Sequence, residues 1–323
     1  MSLNVAVGSI GELLVEFVCA ERDSHHRRPA SYTGPFPSGA PGIFIDQAAR
    51  IGARAIFAGA VGKDAFGSVL LERLKADGVA LDLVHRVGDR PTGTAMVAYN
   101  SDGSRDFVFN IAHSAAPLFA DAATIVAGLR AFKLDVFHVS GASLAYPQMA
   151  GTILSVVEAL LKDGVKISFD PNVRKEVAED ATTLAAVQRL TAVSTYFLPS
   201  EDDLAVLFPG QSFEAAVAPL FKQAAEIAVL KRGAGGAIAI TRKGETAGVA
   251  GHKVRALDPT GAGDCFCATF VSLIAAGRHG LSAALERANA AGALAVTKLG
   301  PMEGNAPLET IERFLKHPVG LAS

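Results

Sequence analysis

The amino-acid sequence predicts an α/β fold in which a mainly parallel sheet carries helices on its faces. Short apolar segments rich in β-branched residues alternate with longer segments of helical composition along most of the chain. Half of the 323 residues are apolar, which is enough for a sizeable buried core, and no internal repeat or long linker interrupts the alternation.

The predicted elements follow in chain order. The first half begins with strand NVAVGSI, helix IDQAARIG, strand AIFAGAV and helix AFGSVLLERLKADG. The alternation resumes with strand DVFHVSG, helix MAGTILSVVEALLKDG, the strands VKISFDPN, TYFLPS and IAVLKRG, and a final helical region. Strands separated by helices are the pattern of a parallel sheet.

One region departs from this alternation. Thr92–Asn110 consists of two extended runs joined by a turn at Ser101–Ser104, where Asp102 and Gly103 supply the positive-φ chemistry of a hairpin. The hairpin is either an edge element of the main sheet or a flap over a site.

Composition narrows the choice of partner and compartment. The chain has 30 Lys and Arg against 32 Asp and Glu, a net charge of −2, and no dense basic block, so neither a nucleic acid nor a membrane surface is expected as a partner. The three cysteines lack the spacing of a zinc site, and their odd number argues against a disulfide framework, which fits a reducing cytoplasm. The uncharged run Cys265–Gly277 is too short to span a bilayer. We expect a small-molecule partner.

The stretch RALDPTGAGDCFCATF carries the strongest chemical signal. Gly261, Ala262 and Gly263 leave the backbone bare just where a helix is predicted to begin, and unpaired N–H groups at a helix start bind anions. Asp264 would lie beside that anion pocket, either as an ordinary first-turn aspartate that complements the helix dipole or as a group that accepts the proton of an attacking hydroxyl. Neither GxxxxGK[ST] nor a strand followed by GxGxxG is present, so this segment is the strongest candidate phosphate site.

DPTGAGDCFCATF resembles the C-terminal signature of the ribokinase or PfkB family of carbohydrate kinases. SGAPGIFIDQAARIG resembles the N-terminal signature, and the intermediate blocks GAVGKDAFG, FDPNVR, LPSEDDL, VLKRGAGGA and NAAGALAVTKLG follow in the family's order. The resemblance covers essentially the whole chain. It implies a single ribokinase-like domain over residues 1–323, three α/β/α layers thick, with a small β-sheet lid from about residues 12–36 and 88–113.

The resemblance also assigns the phosphate and nucleotide side of the site. It makes Asp264 the general base and Gly261–Gly263 the anion hole. It implies ATP and Mg²⁺ as cofactors, with a monovalent cation such as K⁺ as a further option. A homodimer is the assembly expected from the resemblance. Ser200 and Asp203 stand where many relatives have the Asn and Glu of an N-x-x-E motif that positions magnesium through water. The residues implied to face the nucleotide are Ser200, Lys231, Gly233, Gly236, Thr260, Gly261, Gly263 and Asn289. For Asn289, helix packing or capping is the alternative.

On the sugar side, Gly39 and Ala40 match positions that expose the backbone. Ile43 replaces an Asn that contacts the sugar in relatives. Glu12 and Glu16 flank the position of a carboxylate that binds a sugar hydroxyl, with surface strand charge as the alternative for each. Arg174 matches an arginine of the sugar pocket or phosphate path, or is a surface residue at a helix start.

The lid stretch bears on which sugar is expected. Relatives specific for 2-keto-3-deoxygluconate place Tyr and Arg where this chain has Asn110 and Ile111, and an arginine there would pair with a carboxylate. Its absence favours a neutral ketohexose resembling tagatose or fructose, contacted by Asn110 and His113. For His113 a purely structural role is the alternative. A kinase of 2-keto-3-deoxygluconate or, less well supported, a nucleoside kinase of the same superfamily are the other functions considered.

Overall fold

The structure is a computed structural model of the chain, and it describes residues 2–173 and 180–317. Within these residues there are thirteen strands and ten α-helices. The strands are β1 (Ala6–Ile10), β2 (Leu14–Cys19), β3 (Tyr32–Ser38), β4 (Arg54–Gly62), β5 (Val79–Val87), β6 (Gly93–Tyr99), β7 (Arg105–Asn110), β8 (Val136–Ser140), β9 (Lys166–Asp170), β10 (Tyr196–Phe197), β11 (Ile227–Lys231), β12 (Ala237–Thr241) and β13 (Thr246–Val249). The helices are α1 (Ala40–Arg50), α2 (Ala65–Ala76), α3 (Ala122–Phe132), α4 (Pro147–Lys162), α5 (Ala181–Val193), α6 (Glu201–Leu207), α7 (Phe213–Phe221), α8 (Ala262–Ala275), α9 (Leu281–Ala295) and α10 (Leu308–Lys316).

The main sheet has nine strands in the order β13-β12-β11-β10-β9-β8-β1-β4-β5. The seven strands from β11 to β5 are parallel, and β12 and β13 add an antiparallel hairpin at one edge. The sequence did not predict this hairpin, because its runs AIAIT and TAGV are short and carry little alternation. All residues of β1 and β8 are buried, as expected for central strands covered on both faces.

Helices cover both faces of this sheet. One core contains Phe44 of α1, Phe270 of α8 and Leu285 of α9, and the other contains Ile153 of α4 and Val187 of α5. The predicted three-layer α/β fold with a mainly parallel sheet is therefore confirmed. Throughout the described part of the chain, every helix is too short or too polar to cross a membrane.

A second, smaller sheet has the order β3-β2-β6-β7. The predicted hairpin forms β6 and β7, and Gly103 in its turn has a φ of 87°, which fits the positive-φ turn expected from the sequence. The hairpin belongs to this separate sheet, so it is not an edge element of the main sheet. We call this four-stranded sheet the lid.

The main sheet brings several polar residues to one edge. Glu12 follows β1, Ser143 follows β8, Asp170 ends β9 and Lys231 ends β11. Because these strands are parallel, their carboxyl ends meet at the same edge, which is where open α/β sheets bind ligands.

Candidate active site

The turn into α8 has a geometry that favours glycine. Gly261 precedes the helix with a φ of 86°, and a Cβ atom added to it would lie 2.5 Å from the carbonyl oxygen of Pro301. Asp264 lies in the first turn of α8, as the sequence predicted. The backbone N–H groups of a first turn have no acceptor inside their own helix, so they can donate to an anion.

Asp264 is a buried carboxyl group among other charges. Burial is the main cause that raises its pKa to about 8; Asp170 and Glu12 raise it as well, while Lys231 opposes them. A carboxyl group whose pKa lies near neutral pH is suited to exchange a proton with a hydroxyl group. In the structure, the charged groups of Glu12, Asp170 and Lys231 therefore lie close enough to Asp264 to change its pKa.

Lys231 stands next to the anion pocket. Its Nζ forms an ion pair with Asp170 and lies 3.5 Å from the position that a Cβ atom on Gly263 would occupy. Burial alone would lower the pKa of Lys231, but the charge of Asp170 raises it overall, so the ammonium group stays protonated. A fixed positive charge beside the first turn of α8 complements a bound phosphate.

Glu12 and Gly39 lie at the carboxyl-terminal edge of the main sheet, in the part where the sequence predicts the sugar site. The Glu12 carboxylate is buried and accepts a hydrogen bond from Ser143 Oγ at 2.5 Å. Gly39 has a φ of 107°, and a Cβ atom there would lie 2.4 Å from the Glu12 carbonyl oxygen, so Ala40 can begin α1 close to β1. Ile43 is buried among apolar side chains and offers no polar group to a ligand.

Glu16 belongs to the lid. It lies on β2, is buried, and accepts a hydrogen bond from Ser38 Oγ at 3.3 Å. The surface strand position considered for Glu12 and Glu16 is therefore wrong for both residues, because both carboxylates are buried.

Asn110 and His113 lie together but apart from Asp264. Asn110 ends β7 and donates a hydrogen bond to Thr94 Oγ1 at 3.2 Å. Side chains alternate along a strand, so Asn110 is on the opposite face of β7 from Arg105, whose guanidinium group lies 3.4 Å from Thr260 Oγ1. Asn110 and His113 both line a cavity of about 530 Å³. Among the residues that the structure describes, neither Glu12 nor Asp264 lines this cavity. The role of Asn110 and His113 as sugar contacts stays a prediction.

Ser200 and Asp203 form a capping box at the start of α6. The Asp203 carboxylate accepts hydrogen bonds from the backbone N–H and the hydroxyl of Ser200, at 2.7 and 2.6 Å, and from the Val173 N–H at 2.6 Å. Within residues 2–173 and 180–317 there is no group of three His, Cys, Asp or Glu side chains that could hold a metal. The predicted role of Asp203 in placing magnesium through water stays a prediction.

The remaining predicted nucleotide residues lie around the β11–β12 turn. Gly233 and Gly236 have φ values of 50° and 90°, and a Cβ atom on Gly236 would lie 2.0 Å from the Val249 carbonyl oxygen. The Asn289 side chain donates to the Ala250 carbonyl at 2.8 Å, so it fixes the segment after β13. That contact corresponds to the packing alternative considered for Asn289. Arg174 lies outside the described residues.

Three residues of the site were not singled out from the sequence. Asp170 pairs with Lys231, Asp258 is fully buried before the α8 turn, and Tyr99 of the lid donates a hydrogen bond to Asp258. Asp170 and Asp258 stand in the blocks FDPNVR and DPTGAGD, so a systematic reading of each acidic residue in those blocks would have found them. Tyr99 has no sequence signal, because its role depends on a partner 159 residues away.

Comparisons with known proteins agree on one family. Residues 6–308 match the sequence profile of the pfkB family carbohydrate kinases. A fructokinase from Vibrio alginolyticus is 28% identical over 288 residues, which cover 86% of this chain and 91% of that protein.

Solved structures are similar over almost the full chain. An E. coli protein provisionally named Ribokinase II, solved with ATP and Mg²⁺, is 36% identical with a TM-score of 0.90, over 97% of this chain and 99% of that one. A fructokinase double mutant from Vibrio cholerae O395, solved with fructose, ADP and a potassium ion, is 26% identical with a TM-score of 0.81, over 98% and 99% of the two chains.

Proposed function

Because this chain belongs to the pfkB family of carbohydrate kinases, and is thus a sugar kinase, we propose that it transfers the γ-phosphate of ATP to a hydroxyl group of a neutral ketohexose such as fructose or tagatose. The observation that carries this proposal is Asp264, a buried carboxyl group with a pKa of about 8 beside the unpaired N–H groups of the α8 turn. Phosphoryl transfer needs a proton acceptor for the attacking hydroxyl next to donors that stabilise charge on the phosphate.

Each group then has a defined task. Asp264 accepts the proton of the sugar hydroxyl as its oxygen attacks phosphorus. The backbone N–H groups of Ala262 and Gly263 donate to the phosphoryl oxygens, and the Lys231 ammonium group adds a fixed positive charge 3.5 Å from the Cβ position of Gly263. Glu12, oriented by Ser143, accepts a hydrogen bond from another sugar hydroxyl.

The donor side is proposed on the same grounds. A relative at 36% identity was solved with ATP and Mg²⁺, which supports this pair as the phosphoryl donor and its metal. Bound to the triphosphate, Mg²⁺ would neutralise part of its charge. Asp203, whose oxygens already accept three hydrogen bonds, would contact the ion through water. A monovalent-cation requirement and a homodimer stay predictions.

The choice of a neutral sugar rests on charge. A carboxylate substrate that is buried without a cationic partner suffers a desolvation penalty, whereas a ketohexose needs only hydrogen bonds. On the face of the lid towards α8, in the part that the structure describes, Arg105 would be the candidate partner for a substrate carboxylate. Its guanidinium group lies 3.4 Å from Thr260 Oγ1, next to the proposed phosphate site. The curated relatives named fructokinase support the same choice.

A panel of acceptors tests this proposal. D-fructose, D-tagatose, 2-keto-3-deoxygluconate, ribose and adenosine are compared at equal ATP and magnesium by coupled measurement of ADP. We expect kcat/KM for a ketohexose to exceed that for the keto acid by at least about tenfold, the equivalent of about 1.4 kcal/mol.

Arg174→Ala is the matched variant. Under the proposal it leaves the ratio between the ketohexose and the keto acid unchanged. A preference for the acid that Arg174→Ala abolishes would refute the neutral substrate and establish 2-keto-3-deoxygluconate. A preference for adenosine would point to a nucleoside kinase.

A further inference from the structure

Two lid residues contact the segment that leads into the catalytic helix. Tyr99, the last residue of β6, donates its hydroxyl hydrogen to the Asp258 carboxylate, and its oxygen lies 3.5 Å from Thr260 Oγ1. Arg105, which is paired with Tyr99 across the hairpin, lies 3.4 Å from the same Thr260 oxygen. The end of the lid hairpin therefore rests directly on the residues before the anion hole.

Asp258 connects the lid to the α8 turn and to the loop that follows α9. It is fully buried, and its carboxylate accepts hydrogen bonds from the Thr260 N–H at 2.9 Å and the Gly300 N–H at 3.0 Å, besides the one from Tyr99. Next to Gly300 is Pro301, whose carbonyl oxygen limits the space at Gly261. A buried carboxylate depends on its donors, so the loss of one lets the others move.

Tyr99 also stands near the sugar side. Glu16 is close enough that its charge adds to the effects of burial and of Asp258, which together raise the pKa of the Tyr99 hydroxyl. The hydroxyl therefore stays protonated and remains a donor at physiological pH. Tyr99 therefore responds to the charge of the lid carboxylate predicted to face the sugar, while its hydroxyl group is bonded to Asp258.

We propose that Tyr99 is a positioning residue for phosphoryl transfer: through Asp258 it fixes the segment Asp258–Gly261, so that closure of the lid and completion of the anion hole are one event. The inference rests on the proposed function. Donors preorganised towards the developing charge contribute most to catalysis, and a small displacement of them is costly. Because Tyr99 acts through Asp258, we expect its effect to be on turnover and not on ATP binding.

Tyr99→Phe removes the hydroxyl group and keeps the ring. We expect kcat to fall about tenfold, the equivalent of about 1.4 kcal/mol, while KM for ATP changes less than twofold. Tyr32→Phe is the matched control, because Tyr32 is a lid tyrosine whose hydroxyl is bonded to His26 at 3.0 Å. It should leave both constants unchanged.

A double-mutant cycle with Asp258→Asn separates positioning from a direct or purely structural role. If Tyr99 acts through Asp258, adding Tyr99→Phe to Asp258→Asn lowers kcat less than twofold further. An equal tenfold loss in both backgrounds would overturn the inference, as would a Tyr99→Phe protein with normal kcat or one that only melts earlier.

Hydrogen exchange tests the contact without turnover. In the ligand-free protein, the Thr260 amide, bonded to Asp258, should exchange faster in Tyr99→Phe than in wild type and Tyr32→Phe. Equal exchange in all three proteins would overturn the inference. A wild-type protein that phosphorylates no acceptor would refute the proposed function, and this measurement would still decide the role of Tyr99.

Discussion

Replacing Asp264 by asparagine should stop catalysis without disturbing the fold. The amide has nearly the shape of the carboxyl group but cannot accept the proton of the sugar hydroxyl. General base catalysis contributes a factor on the order of 10²–10⁴, so we expect kcat to fall by about that factor. ATP binding, measured by calorimetry, should be retained, because the α8 turn and Lys231 are unchanged.

If Asp264 is the general base, as proposed, its pKa sets the pH dependence of kcat/KM. With a pKa of about 8, roughly one free enzyme molecule in eleven carries the ionised base at pH 7, and about ten in eleven do at pH 9. The wild-type kcat/KM should therefore rise about tenfold between pH 7 and pH 9. The residual activity of Asp264→Asn should lack this rise.

The same pKa predicts a change in stability. At pH values between about 4 and 8 the folded protein holds a proton on Asp264 that the unfolded chain has lost, so this residue destabilises the fold progressively as the pH rises. Asparagine removes that effect. The melting temperature of Asp264→Asn should exceed that of wild type at pH 8, and the difference should shrink towards pH 5.

Three results would refute this reasoning about Asp264. One is near-normal turnover in a folded Asp264→Asn protein, the second is a flat wild-type profile between pH 7 and pH 9, and the third is a melting difference that does not depend on pH. Asp163→Asn serves as the control. Asp163 directly follows α4 in the loop before β9, at the opposite edge of the sheet, so its substitution should change neither activity nor the pH dependence of activity.

Two further predictions concern the turn and the lid. Gly261→Ala should destabilise the protein by about 1–3 kcal/mol in urea denaturation and lower kcat, because Gly261 combines a φ of 86° with a Cβ position 2.5 Å from the Pro301 carbonyl oxygen. Gly244→Ala is the control and should destabilise the protein less, because Gly244 has a φ of 83° but open space around its Cβ position. Equal losses of stability in the two variants would contradict the role of the Pro301 contact. Sugar should slow hydrogen exchange in Gly93–Asn110 more than in β11, because it binds the closed lid preferentially, and equal protection in both segments would argue against a lid.

The structure explains why sequence patterns identified some features of the site correctly. The turn at Gly261 and the position of Asp264 at a helix start depend on residues adjacent in the chain, and backbone conformation at glycine is a local property. His138, in the apolar run of β8, is likewise buried, and its Nδ1 is hydrogen-bonded to Ser168 Oγ at 2.9 Å. Local backbone conformation and the periodicity of burial depend on residues that are close together in the chain, so sequence patterns can predict them.

For Asn110 the sequence pointed to the lid but not to the face. Successive side chains of a strand point to opposite faces of the sheet. Matching Asn110 to a position in relatives therefore does not show whether its side chain faces α8, which depends on the pairing of β7 with β6. That pairing puts Arg105 towards Thr260 and Asn110 beside Thr94. The short, weakly patterned strands β12 and β13 were missed because their stability comes from pairing, of β12 with β11 and of β13 with β12.

By itself, the sequence determined the α/β alternation, the glycine turn and the helix start that carries Asp264. Only the tertiary structure decided which charges surround Asp264, because Glu12, Asp170 and Lys231 end or follow different strands, and the order of those strands in the sheet sets their distances. The same holds for Tyr99 of lid strand β6 and Asp258 of the loop before α8, which meet only where the lid rests on the α8 turn. A pKa or a hydrogen bond between distant residues depends on separation in space, and the linear order of residues does not fix it.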